Sequence, residues 1–224
     1  MFMLLLALLP AAVLLVYIYR KDTVEKEPIG LLVKLFLLGA ASVVFAVIVG
    51  IVADPIVSAF FDDNSLIWLI IDNFILTALV EEGGKYFMLR KCTWKSPEFN
   101  FTFDAVVYAV TVSLGFAALE NVLYVVDGTV STAIMRAVLS VPGHAIDGVY
   151  MGFYYGLAKK YPHMSDRYLS LALIVPTLLH GFYDFTISLG SGLSIMVFFA
   201  FEIIITVLAI IKVRKLSRED SWIG

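Results

Sequence analysis

Apolar positions in this chain come in long unbroken runs, not in the short alternation of a half-buried strand or the single stripe of a soluble helix. Seven runs stand out: 2–19, 30–52, 66–89, 104–126, 132–158, 169–188 and 193–211. At about 1.5 Å per residue, each makes a helix long enough for roughly 30 Å of hydrocarbon. Helices are the expected form, because lipid offers no partner to an unpaired backbone N–H or C=O. The connections, 20–28, 53–65, 90–103, 127–131, 159–168 and 190–192, are short. They leave no room for a second folded unit, and no internal repeat is visible. The expected fold is therefore all-α: one polytopic membrane bundle over 1–224 with about seven crossings.

The basic residues give these crossings a direction. Arg20, Lys21 and Lys26 lie in the first connection, Arg90, Lys91 and Lys95 in the third, and Lys159, Lys160 and Arg167 in the fifth. Lys212, Arg214, Lys215 and Arg218 follow the last run. The second, fourth and sixth connections carry only Asp54, Asp62, Asp63 and Asp127. Positive charge stays on the cytoplasmic side, so the N-terminus is expected outside and the C-terminus inside. The first run has no basic stretch before it and no small-residue cleavage site, so it reads as a retained anchor, not a signal peptide.

Composition agrees with the pattern. The chain is 61% hydrophobic and 16% charged, with mean hydropathy +0.93, far from a soluble domain. A lone cysteine, Cys92, excludes an internal disulfide and a multi-cysteine metal site. No glycine-rich phosphate loop or zinc-finger spacing is present, and nothing supports binding to nucleic acid.

The informative residues are polar ones inside the runs, where a charge costs at least ~2.5–3.5 kcal/mol and usually faces a bundle interior or a wet cavity. The third run contains Glu81-Glu82-Gly83-Gly84-Lys85. Lys85 can reach Glu81 at i,i+4 or Glu82 at i,i+3, so one acid can be neutralised locally while the other stays free. Asn73, Thr77, Glu81 and Lys85 form a polar stripe. The fourth run carries Phe116 and Glu120 one turn apart, then Asn121. The fifth opens with Arg136 and continues Pro142-Gly143-His144-Ala145-Ile146-Asp147-Gly148. His144 there heads a face of Gly148, Gly152 and Gly156, chiefly a packing groove. The sixth pairs His180 with Asp184 at i,i+4, and the seventh holds Glu202.

Each of these has a plainer explanation. The Glu–Lys cluster could only lock helix packing, a lone His could be an interhelical donor, and Asp147 and Glu202 could be structural acids. Asp72 and Asp104 lie near run ends and are expected to meet headgroups or water. Acids on two helices and histidines on two more are harder to assign to scaffolding. By rise per residue, Glu81 sits ~22 Å and His144 ~18 Å from the outer face, with His180 near mid-bilayer. Glu120 and Asp184 come out closer to the outer surface, as a separate layer or brought level by helix tilt.

Such groups suit hydrolysis of an amide, which needs an activated water, a stabilised oxyanion and a proton for the leaving amine. A partly desolvated glutamate can take a proton from water and return it, with a histidine holding the water or donating to the oxyanion. Two histidines and a carboxylate could instead hold Zn²⁺, with a second glutamate as base. The spacing is not that of a helical HExxH motif, so a metal site would have to assemble across helices.

The motifs EEGGK at 81–85, FAALEN at 116–121, PGHAIDG at 142–148 and HGFYD at 180–184, with Tyr17 to Asp22 and Glu27-Pro28 in the first connection, cover most of the chain. In these it resembles the PrsW family of bacterial intramembrane proteases. The resemblance implies a multi-pass protease of the bacterial cell membrane. It would make the first, extracytoplasmic cut in a single-pass anti-sigma factor during envelope stress. It also implies a distant relation to type II CAAX prenyl endopeptidases and to the scaffold subunit of gamma-secretase. Carried over, Glu81 is the water-activating base, Glu82 paired to Lys85 is its support, and His180 assists the water or ligates a metal. Asp184 stands where the prenyl endopeptidases often carry Asn. Glu120 stands where they have His, so the oxyanion role falls to a protonated Glu120 or to His144, or else Glu120 binds a metal. The catalytic set is thus Glu81, Glu82, Glu120, His144, His180 and Asp184, supported by Lys85 and Asn121. The resemblance favours a metal-free mechanism; if a metal is present, zinc on His144, His180 and Glu120 is the alternative. Two other classes compete, a proton-coupled transporter and a non-catalytic membrane scaffold. The missing inverted repeat weakens the first, and retention of both glutamates and both histidines weakens the second.

Overall fold

A computed structural model describes residues 2–62, 65–126 and 128–223. Asp63 and Asp127, two of the acids used to orient the chain, lie outside them. The described residues form seven helical rods in the expected order. They are α1 (Phe2–Lys21), α2 (Ile29–Ser58), α3 (66–93), α4 (Asp104–Val126), α5 (130–160), α6 (Ser165–Ser188) and α7 (Gly192–Arg218). Five of these, α1, α2, α4, α6 and α7, are long and apolar enough to cross a membrane, and the protein is an all-α polytopic membrane protein. Most ends overrun the apolar runs. α2 continues through Pro55 to Ser58, and α7 runs past Lys212, Arg214 and Lys215, because long basic side chains can extend from helix into the headgroup layer.

The other two rods carry the EEGGK and PGHAIDG motifs, and each contains π turns. In α3, Leu66–Ile70 is α-helical, Ile71–Leu79 is π, and Val80–Thr93 is α again. In α5 the sequence is Val130–Met135, a π segment Arg136–Ser140, then Val141–Lys160. Pro142 gives a cause for the second: it has no N–H and its ring crowds the carbonyl four residues back, at Val138, so the ladder opens there. A π turn re-aims every side chain beyond it, and in both rods the polar motif follows directly. Ser65, Thr129 and Ser191 cap the starts of α3, α5 and α7 through their hydroxyls. Gly190, at φ +60°, makes the tight turn between α6 and α7.

The core is α4, buried along most of its length, with α1, α2 and α5 packed against it. Glycines set the spacing. A Cβ on Gly39 of α2 would lie 2.0 Å from the Val112 carbonyl oxygen, and one on Gly115 of α4 would lie 2.0 Å from that of Phe36. Gly148 and Gly152 of α5 meet α4 just as closely, 2.8 Å from the Val110 Cα and 2.5 Å from the Val106 Cα. The glycine face below His144 is therefore a packing groove, as expected.

At the end of α4 opposite Glu120, the C-terminal tail joins the α3–α4 connection. Thr102 N–H donates to the Ser221 carbonyl at 3.0 Å and Ile223 N–H to that of Asn100 at 2.7 Å. Asp104, expected to meet headgroups or water, is fully buried here. Its Oδ2 accepts the Asn100 and Phe101 amides at 3.0 and 2.7 Å, because these amides of the α3–α4 connection need an acceptor away from water. Tyr108 O–H donates to Glu27. Burial, reinforced by neighbouring Asp104, pushes the Glu27 carboxyl up to about 9.

Two outcomes follow. Gly115→Ala should lower stability by about 1–3 kcal/mol through overpacking. Gly50→Ala, with no atom of the described residues within 4 Å of its added Cβ, should be neutral in the same melting assay. Because the folded Glu27 pKa lies above its ordinary 4.5, its contribution is complete below about pH 4.5 and is lost as pH rises toward 9. Wild-type protein should therefore lose more melting temperature than Glu27→Gln over that window.

Candidate active site

Four helices bring the polar motifs to one point. Lys85 on α3 is fully buried, and its ammonium chooses between the two glutamates. Nζ lies 2.6 Å from Glu82 Oε1 but 3.9 Å from Glu81 Oε2. It also meets His144 Nδ1 of α5 at 3.0 Å and stands 4.1 Å from the centre of the Phe116 ring on α4. An ammonium only donates, so His144 Nδ1 must accept and its ring proton sits on Nε2. That N–H points at Glu120 Oε2, 2.9 Å away. One cation thereby fixes a histidine tautomer and, through it, a carboxylate on a third helix.

His180 of α6 completes the group. Its Nδ1 lies 2.9 Å from Glu82 Oε1, and its Nε2 lies 3.2 Å from Asp184 Oδ2 and 3.8 Å from Glu81 Oε2. The two imidazoles meet edge to face at 5.2 Å. Glu81 Oε2 is buried yet has no hydrogen-bond partner among the described residues, an uncommon state that marks a place for water or another ligand. Glu81, Glu120, His144, His180 and Asp184 line one cavity of about 300 Å³ among α3–α7, ample for several waters. Glu81 and Glu120 also face a mainly apolar groove between α2, α3 and α4, lined by Val43, Val47, Leu76 and Leu123.

All the residues proposed from sequence fall in or against this cluster. Glu120 and Asp184 are not a separate outer layer, since each bonds a histidine of the cluster directly. Asn121 sits behind it, with its Oδ1 accepting Arg136 Nε at 2.8 Å. Two further residues join the site. Arg136 places Nη2 2.7 Å from Glu120 Oε2, and Asp147, almost wholly buried, lies 3.9 Å from His180 Nδ1. Spacing held a signal for both: Asp147 is one turn beyond His144, and Arg136 two turns before it.

The donor atoms suit a cation in part. Those of Glu81, Glu120 and His144, and those of Glu82, His144, Asp147 and His180, each lie within 4.8 Å of one another. The trio expected from sequence, His144, His180 and Glu120, is not brought together in this way among the described residues. His144 has both nitrogens committed, to Lys85 and to Glu120. His180 is flanked by carboxylates on both sides, with Nδ1 2.9 Å from Glu82 Oε1 and Nε2 3.2 Å from Asp184 Oδ2, the setting that orients an imidazole toward a metal. Nor do His180, Asp184 and Glu81 come together in this way among the described residues, so a zinc ion would draw on the two sets above, once His144 or His180 gives up a ring proton.

A family model described as PrsW family intramembrane metalloprotease matches residues 27–211. Similar curated proteins include "Protease PrsW" of Oceanobacillus iheyensis, 34% identical over 92% of each chain. Another is "Protease PrsW" of Halalkalibacterium halodurans, 37% identical over 96% of each. "Protease PrsW" of Bacillus subtilis is 36% identical over 80% of this chain and 79% of its own. No solved structure matches.

The two adjacent glutamates should separate in a stability assay. Glu82→Ala leaves the Lys85 ammonium buried beside a lost partner and should cost about 3–5 kcal/mol. Glu81→Gln removes no hydrogen bond and should shift the melting temperature little.

Proposed function

Because the chain belongs to the PrsW family of intramembrane proteases, we propose that it cuts a single-pass anti-sigma factor near the extracytoplasmic surface of the bacterial membrane, with Glu81 activating the water. The observation carrying this is the bare Oε2 of Glu81, buried on the cavity wall 3.8 Å from His180 Nε2. A water between these two groups can be held by the imidazole while the carboxylate removes its proton. Glu81 then returns that proton to the leaving amine. Glu82, tied to Lys85 and His180, keeps both partners in place. Arg136 brings positive charge to the Glu120 side of the cavity, where the oxyanion would form, while His144 gives its N–H to Glu120. The apolar groove between α2, α3 and α4 gives a substrate helix a path from lipid to Glu81 and Glu120.

The metal-dependent version of the same protease has its own support in Glu81, Glu120 and His144, whose donor atoms lie within 4.8 Å of one another on the cavity wall. Glu81, Glu120 and a His144 that has given up its Nε2 proton would hold Zn²⁺ there, which when bound would polarise the amide carbonyl and acidify water. The Glu82–Lys85–His144 frame is needed in either case, because it orients His180 from Nδ1.

The test is reconstitution of the full chain in vesicles with an anti-sigma factor as substrate. Glu81→Gln should lower cleavage by on the order of 10²-fold or more while crosslinking still captures substrate; full cleavage by this variant would defeat the proposal. Cleavage should survive a strong chelator. Loss in chelator with recovery on adding Zn²⁺ would select the metal-dependent version, whereas substrate or proton flux without proteolysis would favour a transporter.

A further inference from the structure

A second group of acids, from the first connection, the start of α4 and the tail beyond α7, is outside the cavity. Asp22, Asp104 and Asp220 each offer a carboxylate oxygen, and these lie within 4.8 Å of one another. Glu27 flanks them, bonded to Tyr108 and close to Asp104. The geometry points to a binding site for a hard divalent cation of Ca²⁺ size, held by Asp22, Asp104 and Asp220, that clasps three separate parts of the chain.

The acids alone would not carry this; the state of Asp22 does. It is fully buried, and among the described residues neither of its carboxylate oxygens has a hydrogen-bond partner. The Glu27 amide approaches that carboxylate without closing a bond. The nearest ammonium, Lys26, spends its protons on the backbone oxygens of Tyr19 and Asp22. Asp104 is likewise fully buried, with Oδ2 satisfied by two amides and only the neighbouring Glu27 carboxyl left to serve Oδ1. Asp220 is oriented from behind: its Oδ1 accepts Thr102 Oγ1 at 2.9 Å and the Phe103 amide at 2.8 Å. Leaving buried carboxylate oxygens without a donor is costly, and three carboxylates facing one another add repulsion. A single dication removes both costs.

Donor chemistry selects the ion. Every ligand is a carboxylate oxygen, which disfavours soft metals and suits Ca²⁺ or Mg²⁺. Oxygens sharing one Ca²⁺ at ~2.3–2.6 Å can be up to ~5 Å apart, which takes in these three. Mg²⁺ keeps several waters and takes one or two carboxylates, so a site of three protein carboxylates favours Ca²⁺. Its consequence is structural: Asp22 ends the first rod, Asp104 starts the central one, and Asp220 anchors the tail that pairs with Asn100 and Thr102. This site stands apart from the proteolytic centre, so its fate does not depend on how that centre works.

The test uses the full chain in phosphatidylcholine nanodiscs, stripped with chelator and titrated with CaCl₂ or MgCl₂. Radioactive Ca²⁺ should bind saturably, one ion per chain. At about 100-fold excess over Kd the melting temperature should rise by several degrees. Asp22→Asn and Asp220→Asn should each weaken binding tenfold or more and abolish that rise, while Glu120→Gln should keep both. No saturable Ca²⁺ binding by wild-type protein would overturn the proposal; binding of Mg²⁺ in preference would overturn the choice of ion. Binding unchanged in both aspartate variants, or lost in Glu120→Gln instead, would also overturn it by placing the ion elsewhere.

Discussion

A single buried ammonium organises the interior of this protein. Lys85 cannot remain charged in a hydrocarbon-facing bundle without partners, and it finds three: Glu82, His144 and the face of Phe116. Each partner is thereby fixed. Glu82 is held where its Oε1 also orients His180, His144 is fixed as the Nε2–H tautomer, and α4 is tied to α3 at the level of Glu120. The neighbouring glutamate is what the arrangement leaves over. Glu81 has the same chemistry as Glu82 but no strong bond, and it faces the cavity. Local pairing has made two chemically equivalent acids unlike each other, which is the usual requirement for dividing structural and reactive roles.

The scaffold around that ammonium is set by close backbone contact. Gly39 against Val112, Gly115 against Phe36, and Gly148 and Gly152 against α4 bring three rods together with no side chain between them. Association in lipid depends on such packing, since apolar side chains gain little by leaving hydrocarbon. Rigid spacing then positions the cluster: Glu120 comes from α4, His144 from α5 above the glycine face, and His180 from α6. Two π segments, one in α3 and one in α5, lie directly before the polar motifs and set their aim. The relation to PrsW proteases gives this geometry a task, cutting a peptide within the membrane.

Much of this was legible in the residues. Long apolar runs gave seven rods, because hydrocarbon leaves helices few alternatives. The i,i+3 and i,i+4 choices of Lys85, the His180–Asp184 pair and the glycine face of α5 were visible as spacings on single helices. Contacts between rods were less accessible. Depth along a straight helix leaves Glu120 and Asp184 either in another layer or brought level by tilt; both acids bond the cluster. Arg136 and Asp147 were undervalued because their partners lie on other helices. Asp104 was misjudged for a related reason: its position near a rod end suggested water, but the returning tail covers that end.

The distinction between Glu82 and Glu81 can be measured by double-mutant cycles on unfolding stability in bilayers, pairing Lys85→Met with Glu82→Gln and, separately, with Glu81→Gln. Coupling should exceed about 1 kcal/mol for the Lys85–Glu82 cycle and stay below about 0.5 kcal/mol for Lys85–Glu81. Strong coupling of Lys85 to Glu81 with little to Glu82 would contradict the assignment of the free acid, and with it the proposed division of labour in the site.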